Sequence, residues 1–227
     1  MPSKVISVLG MHRSGTSCLA GLLEQAGVFL GDVSKKNLYN LKGNRESYRI
    51  IALHEELLRL NSGSWYKPPE FVIWPQELKD YRDEIIISYK GNVCWGFKDP
   101  RTLFTLEGWL EVLPNLQLVG IYRHPLLVAE SLQRRNGFPI EVGLQLWVTY
   151  NERLLSYYKK HEFPIISFDC IPFKDKSAQL IKALCLPSVN TTLDFFDPEL
   201  RHTLSCEDEP LQDQISHLYL TLNEIAL

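Results

Sequence analysis

The stretch KVISVLGMHRSGTSCLAGLLEQA, residues 4–26, decides the fold. Its first part, residues 5–9, is a short apolar run rich in β-branched side chains, which is typical of a strand buried on both faces. Apolar residues then recur at helical spacing over residues 18–26. A tight turn at residues 10–15 therefore joins a strand to the first turn of a helix. Because this geometry aims free backbone N–H groups and the positive end of a helix dipole at one point, we expect an anion to bind there.

The turn has the glycine spacing of the loop that binds nucleoside triphosphates, G-x-x-x-x-G-K-[ST], but departs from it in one residue. Thr16 stands where that loop has its lysine, and the cation lies inside the turn as Arg13. We also expect no later strand to end in the aspartate that normally helps to hold Mg²⁺. The sequence therefore predicts a phosphate site without a metal ion, in which Arg13 supplies the positive charge.

Length and charge limit the classes of function. A chain of 227 residues with 45% hydrophobic residues suits one domain, residues 1–227, with a substantial core. The formal net charge of −3 gives no general attraction to nucleic acid or to an anionic membrane surface. An anion site must then be local, which favours a small ligand.

The five cysteines indicate a reducing compartment. Their number is odd and no pair has C-x-x-C spacing, which argues against a disulfide framework and against a zinc site. No apolar run approaches about 18 residues, so we predict neither a signal peptide nor a membrane-spanning helix, and a cytoplasmic protein. The cysteines stand at positions 18, 94, 170, 185 and 206.

Two later stretches share one pattern, a strand that ends in a cation just before a helix that starts with proline. The strand CWGF ends at Lys98, and Asp99 is the predicted N-cap of the following helix. The strand LQLVGIY ends at Arg123, and the next helix begins at Pro125. Both cations are therefore predicted at the carboxyl end of a strand.

The remaining segments alternate strand and helix, which predicts an α/β fold with a parallel sheet, P-loop-like, and helices on both faces. Ligands of such sheets bind outside the carboxyl ends of the strands, where Arg13, Lys98 and Arg123 should meet. Residues 193–210 are predicted to be an irregular surface strap. The other predicted elements are a helix from an Asn44 N-cap to Asn61, a helix from Pro75 to before Gly91, a helix over about 139–160, the strand PIISFD, the helix DKSAQLIKALC and a last amphipathic helix carrying Leu211 to Ile225.

Three motifs in one order resemble a known family. HRSGTS lies at 12–17, FKDPRT at 97–102 and YRHPLLVAES at 122–131. Together they resemble the sulfotransferases that use 3′-phosphoadenosine 5′-phosphosulfate (PAPS), in the branch whose loop reads R-S-G-T-[ST]. Many bacterial members and the tyrosylprotein enzymes share that loop. The resemblance covers much of the first 135 residues.

The resemblance implies two anion sites for the donor. It assigns Arg123 and Ser131 to the 3′-phosphate. Eight residues separate the two, so Ser131 should lie about two helical turns beyond the strand end that carries Arg123. The 5′-phosphosulfate is assigned to the loop residues Arg13, Ser14, Gly15, Thr16 and Ser17.

The resemblance also implies in-line attack of an acceptor hydroxyl or amine on sulfur, with adenosine 3′,5′-bisphosphate (PAP) as the leaving product. Arg13 and Lys98 would stabilise the charge that develops on the sulfuryl and bridging oxygens. Glu46, in NLKGNRES, resembles a family glutamate and is the candidate general base. The alternative for Glu46 is a helix-start carboxylate that the helix dipole favours.

Two other functions stay open. One is an atypical P-loop nucleotide kinase, which would need MgATP. The other is a non-catalytic module of the same fold that binds a nucleotide or a partner. The predicted acceptor segments, residues 29–48, 61–75 and 137–150, mix aromatic and polar groups, and they suit a glycan, a phenol, a peptide tyrosine or a small metabolite.

Overall fold

Four parallel strands form the sheet at the centre of the fold, in the order β2-β1-β3-β4. The computed structural model describes residues 3–35, 41–186, 195–197 and 211–227. Val8 pairs with Lys98 and Leu9 with Gly120, so the carboxyl ends of these strands lie at one edge of the sheet. The strands are β1 (Lys4–Leu9), β2 (Cys94–Lys98), β3 (Leu116–Tyr122) and β4 (Ile165–Ser167).

Helices cover both faces of this sheet, as the alternation of elements predicts. Ile6 and Val8 of β1 pack with residues of α1 and α7 on one face. Val5 and Leu9 point to the other face, where they pack with residues of α2, α4, α6 and α8. The helices are α1 (Thr16–Gln25), α2 (Tyr48–Leu60), α3 (Gln76–Ser88), α4 (Thr102–Leu110), α5 (Pro125–Asn136), α6 (Ile140–His161), α7 (Phe173–Ala183) and α8 (Asp213–Ile225).

The predicted start of the second helix at Asn44 is wrong, because α2 begins at Tyr48 with Ser47 in the N-cap position. The chain before it is a ribbon: the Arg45 N–H donates to the Ser34 carbonyl at 3.1 Å, and the Ser34 N–H donates to the Glu46 carbonyl at 3.2 Å. Arg45 also has a φ of 56°, which no right-handed helix accommodates. Glu46 therefore precedes the helix rather than lying in its first turn.

Other predictions fall partly outside the described residues. No described helix is both long and apolar enough to cross a membrane. The structure shows no disulfide between the four cysteines that it describes, and Cys206 lies outside its ranges. Most of the predicted strap at 193–210 is likewise outside, with only residues 195–197 described.

Candidate functional site

The turn after β1 has the conformation that an anion-binding loop needs. Arg13 and Gly15 have left-handed backbone angles, with φ of 68° and 85°. Gly15 is the N-cap residue of α1, and a Cβ there would overlap the ring of Phe168. A Cβ at Gly10 would overlap the carbonyl oxygen of Ile121 in β3. Both predicted glycines are therefore required by close packing as well as by the turn.

The loop leaves hydrogen-bonding groups available at the start of α1. The N-cap residue provides no side-chain hydrogen bond to the helix. Ser14 is buried, and its hydroxyl oxygen has no hydrogen-bond partner in the described part of the chain. A buried hydroxyl without a partner costs free energy, and a bound anion would provide one. These residues fit the phosphate end of a nucleotide donor.

Arg13 connects the loop to α5. Its Nε–H donates to the Ser131 hydroxyl at 2.8 Å, so the two predicted halves of the donor site are in contact. Burial, and then the cations Arg135, Arg123 and Arg134, lower the pKa of Arg13 to about 10. Four guanidinium groups thus share one neighbourhood, and their repulsion favours a polyanionic ligand there.

Arg134 and Arg135 were not predicted as part of this cluster. They lie in the last turn of α5, where basic residues suit the helix dipole and therefore attract no notice in the sequence. The available signal was their position, one helical turn beyond Ser131, on the helix that also carries the serine.

Arg123 follows β3, and three of its contacts are described. The Trp147 indole N–H donates to its carbonyl at 2.8 Å. Its guanidinium lies over the ring of Phe168, 5.3 Å from the centroid, and its Nε–H donates to an Asp169 oxygen at 3.2 Å. Asp169 lies just beyond β4, which ends at Ser167. Its carboxylate accepts from Arg123 Nε and from the His124 backbone N–H.

Lys98, at the end of β2, lies between the loop and Glu46. Its side chain is 1% exposed. Its ammonium group donates to the Ser17 hydroxyl at 3.3 Å and to Glu46 Oε1 in a buried ion pair. The structure thus brings together Lys98, Ser17 and Glu46, which the sequence separates by up to 81 residues.

A chain of buried polar groups lies behind this site. The Trp109 indole N–H donates to His54 Nε2 at 2.9 Å, so the other ring nitrogen, Nδ1, carries the proton. Nδ1 faces an Asp99 oxygen at 3.2 Å. Asp99 also accepts from the Arg101 side chain at 3.0 Å, and Arg101 contacts Glu55 at 2.7 Å. This network joins α2 to α4 directly under the turn that follows Lys98.

Asp99 has a different role from the predicted one. It is not the N-cap, because α4 begins at Thr102 with Arg101 in that position. It still accepts the Arg101 backbone N–H at 2.9 Å. Burial alone would raise the pKa of Asp99, but Arg101 and His54 outweigh burial and hold this pKa far below its ordinary value. Asp99 is therefore a charged carboxylate that holds the turn together.

Two of the three predicted acceptor segments meet beside the loop. Trp65 lies 4.7 Å from the ring of His12 and 5.8 Å from the ring of Phe138, measured between centroids. The Tyr150 hydroxyl donates to the Trp65 carbonyl at 2.7 Å. Residues 61–75 and 137–150 thus form an aromatic wall beside the loop. The wall contacts the loop at His12, the residue before Arg13.

We expect His12 to make the stability of the protein sensitive to mild acid. Burial, and then the nearby Arg101 cation, hold the pKa of His12 well below its ordinary value. Below about pH 6.5 His12 is therefore protonated in the unfolded chain but stays neutral in the folded chain. The free energy of unfolding should fall as the pH drops, by up to about 1.4 kcal/mol per pH unit for this group.

His12→Asn should remove part of that fall between pH 7 and pH 5 in urea unfolding curves. The matched control is His217→Asn, because His217 is exposed on α8. If His12→Asn and the wild type lost the same stability over this range, a lowered pKa of His12 would not be the cause of the acid sensitivity.

The described residues contain no group of three or more His, Cys, Asp or Glu side chains that could hold a metal ion. The positive charge of the site comes instead from Arg13, Arg123 and Lys98, each at the carboxyl edge of the sheet. What the arrangement can do chemically is bind a multiply charged anion across the edge and stabilise negative charge beside Lys98.

Comparison with solved structures identifies the fold as the sulfotransferase fold. The alignment with the sulfotransferase domain of the Synechococcus PCC 7002 olefin synthase covers 98% of this chain and 95% of that one, at 16% identity and a TM-score of 0.59. The sulfotransferase domain from the curacin biosynthetic pathway aligns over 98% of both chains, at 16% identity and a TM-score of 0.58.

A third similar structure is the sulfotransferase STF1 from Mycobacterium tuberculosis H37Rv. That alignment covers 99% of this chain and 77% of STF1, at 13% identity and a TM-score of 0.52. No protein-family model and no curated protein matches the chain. At these identities the likeness establishes a shared fold, so the assignment of a reaction depends on the residues of the site.

Proposed function

We propose that this protein is a sulfotransferase that moves a sulfuryl group from PAPS to an acceptor hydroxyl or amine by metal-free in-line displacement. The observation that carries the proposal is the contact between Arg13 and Ser131, at 2.8 Å, within a cluster of four arginines. PAPS carries a 5′-phosphosulfate and a 3′-phosphate, and a site for it needs two adjacent anion-binding regions.

The loop residues Arg13 to Ser17 bind the 5′ end of the donor. Ser14 supplies its unpartnered hydroxyl, and the first N–H groups of α1 point to the same place. Arg123 and Ser131 bind the 3′-phosphate from the adjacent strand end and helix. Thr16 in place of the lysine of nucleoside-triphosphate loops supports a site that neutralises charge with arginine and without Mg²⁺.

Lys98 and Arg13 stabilise the negative charge that develops on the sulfuryl and bridging oxygens. Lys98 suits this role because it is buried and therefore acts in a medium of low dielectric constant. Its partners, Glu46 and Ser17, fix its ammonium group before the donor binds. A cation that is already oriented requires no reorganisation during the reaction.

Glu46 accepts the proton of the attacking group. Glu46 is a buried residue and its carboxylate contacts Lys98, so the proton acceptor and the charge-stabilising cation are adjacent. The aromatic wall of Trp65, Phe138 and Tyr150 borders the loop on one side and forms part of the acceptor site. This wall suits a small molecule, or a residue of a glycan or peptide, that presents one reactive group.

The direct test of donor identity is isothermal titration of the full chain with PAP in the presence of EDTA. The proposal predicts saturable binding of PAP without metal. Binding of MgATP together with no binding of PAP would replace the proposal with a nucleotide kinase. Binding of PAP with no transfer from PAPS to a broad panel of alcohols, phenols, amines and sugars would instead indicate a non-catalytic binding module.

Arg123→Ala should weaken PAP binding strongly, because it removes a charge-assisted contact to the 3′-phosphate. Loss of such a contact costs about 1.5–3 kcal/mol, which corresponds to roughly a 10- to 150-fold rise in the dissociation constant. Adenosine 5′-monophosphate, which has no 3′-phosphate, should bind the variant and the wild type equally. Isothermal titration with both nucleotides measures the two effects.

The matched control is Arg59→Ala, since Arg59 is an exposed arginine of α2 that pairs with Glu56. It should leave the binding of both nucleotides unchanged. Equal weakening of PAP and adenosine 5′-monophosphate by Arg123→Ala would contradict a role at the 3′-phosphate.

A further inference from the structure

Asp169 has a position in the site that the proposed roles leave unexplained. It follows β4, the fourth strand, whose carboxyl end lies beside that of β3 through the pairing of Tyr122 with Ser167. One of its oxygens accepts from Arg123 Nε at 3.2 Å. The other accepts from the His124 backbone N–H at 2.7 Å, directly before α5. A carboxylate therefore lies at the proposed phosphate site itself.

From this geometry we infer that Asp169 is a positioning residue that fixes the Arg123 guanidinium, and the start of α5, for the 3′-phosphate of the donor. The inference rests on the proposed function, because it assumes that Arg123 contacts that phosphate. It assigns Asp169 no contact with the donor.

Three contacts of Arg123 are described, and the one with Asp169 joins two charged groups. Trp147 holds the Arg123 carbonyl, and the Phe168 ring supports the face of the guanidinium. Neither contact fixes rotation of the guanidinium within its own plane. The hydrogen bond from Arg123 Nε to Asp169 fixes this rotation. The guanidinium is planar, so a carboxylate bound at one edge sets the direction of its remaining N–H groups.

Asp169 also links both halves of the donor site. Its neighbour Phe168 packs against Gly15 in the loop and under Arg123. Arg13 and Arg123 repel each other, as the lowered pKa of Arg13 indicates. The Asp169 carboxylate offsets this repulsion, so the arginine side chains can keep one conformation before an anionic ligand binds. Such a preorganised site binds more tightly, because fewer side chains have to be ordered on binding.

The sign of the effect of Asp169→Asn distinguishes positioning from simple electrostatics. A carboxylate near a phosphate site repels the phosphate, so its neutralisation should strengthen PAP binding if charge alone matters. If Asp169 positions Arg123, neutralisation should weaken PAP binding, by roughly tenfold for a coupling between contacting residues. Binding of adenosine 5′-monophosphate should not change, because that nucleotide has no 3′-phosphate.

The experiment titrates PAP and adenosine 5′-monophosphate into the wild type, Asp169→Asn, Arg123→Ala and the double variant. Asp175→Asn is the matched control, since it removes an exposed carboxylate from the first turn of α7. We expect Asp169→Asn to weaken PAP alone, to add nothing in the Arg123→Ala background, and Asp175→Asn to change neither nucleotide.

Unchanged or tighter PAP binding by Asp169→Asn would overturn the inference while leaving the proposed function intact. An additive loss in the double variant would overturn it as well, since the two residues would then act independently. If the wild type does not bind PAP, the proposed function fails first. Should Asp169→Asn lose adenosine 5′-monophosphate binding through misfolding, Asp169→Glu replaces it, because it keeps the charge and displaces the carboxylate. Weaker PAP binding by Asp169→Glu would then support positioning, and unchanged PAP binding would overturn it.

Discussion

Replacement of Lys98 with methionine should slow sulfuryl transfer by about 100- to 1,000-fold, the usual cost of removing one oriented group that stabilises developing charge. Methionine has nearly the length of lysine and fills the space that the buried Lys98 side chain occupies. Because Lys98 acts on charge that appears during the reaction, PAP binding should change much less than turnover. The measurements are the rate of PAP formation from PAPS with the best acceptor of a panel, and titration with PAP.

Lys79→Met is the matched control for this variant. Lys79 of α3 also pairs with a carboxylate, Glu111, at 2.9 Å, but this pair is partly exposed to solvent, unlike that of Lys98. Its replacement should leave turnover unchanged. A Lys98→Met variant that lost PAP binding and turnover in equal proportion would show that Lys98 contributes to donor binding rather than to the chemical step.

Glu46→Gln, which removes the proton acceptor, should slow turnover while PAP binding persists.

Asp99→Ala should lower the free energy of unfolding by about 3–5 kcal/mol, because it leaves the buried Arg101 guanidinium with one partner fewer. The His54 Nδ1–H loses its acceptor in the same change. Urea unfolding followed by tryptophan fluorescence measures the loss, and Trp109 reports on the network directly.

The control for Asp99 is Glu56→Ala, which removes the carboxylate of an exposed pair with Arg59 and should leave stability nearly unchanged. The contribution of Asp99 also has a defined pH dependence. Its folded-state pKa lies far below the unfolded value of about 3.9, so the contribution is complete above about pH 4 and declines as the pH falls further. Equal stability of Asp99→Ala and the wild type at pH 7 would contradict the role of the network.

The local parts of the fold were predictable because their causes are local. The strand, turn and helix of residues 4–26 follow from an apolar run, two glycines and helical spacing, and the structure confirms each element in place. The strands that end at Lys98 and before Arg123 are equally confirmed. Since the carboxyl ends of parallel strands share an edge, even the meeting of these cations followed from the chain order.

What could not be predicted depends on partners distant in sequence. The helix start at Asn44 fails because Arg45 and Glu46 pair with Ser34 instead, and no pattern in the segment itself encodes that ribbon. The ion pair of Glu46 with Lys98 joins residues 52 positions apart. Asp169 was not predicted as a site residue, although it ends the predicted strand PIISFD and so occupies the kind of position that marked Lys98 and Arg123.

The most direct measurement is a crystal structure of the full chain with PAP. The account predicts the 5′-phosphate inside the turn of residues 13–17 and the 3′-phosphate against Arg123 and Ser131, with Lys98 facing the open side of the 5′-phosphate. A nucleotide whose 3′-phosphate lies away from Arg123, or whose 5′-phosphate lies outside the turn, would contradict it.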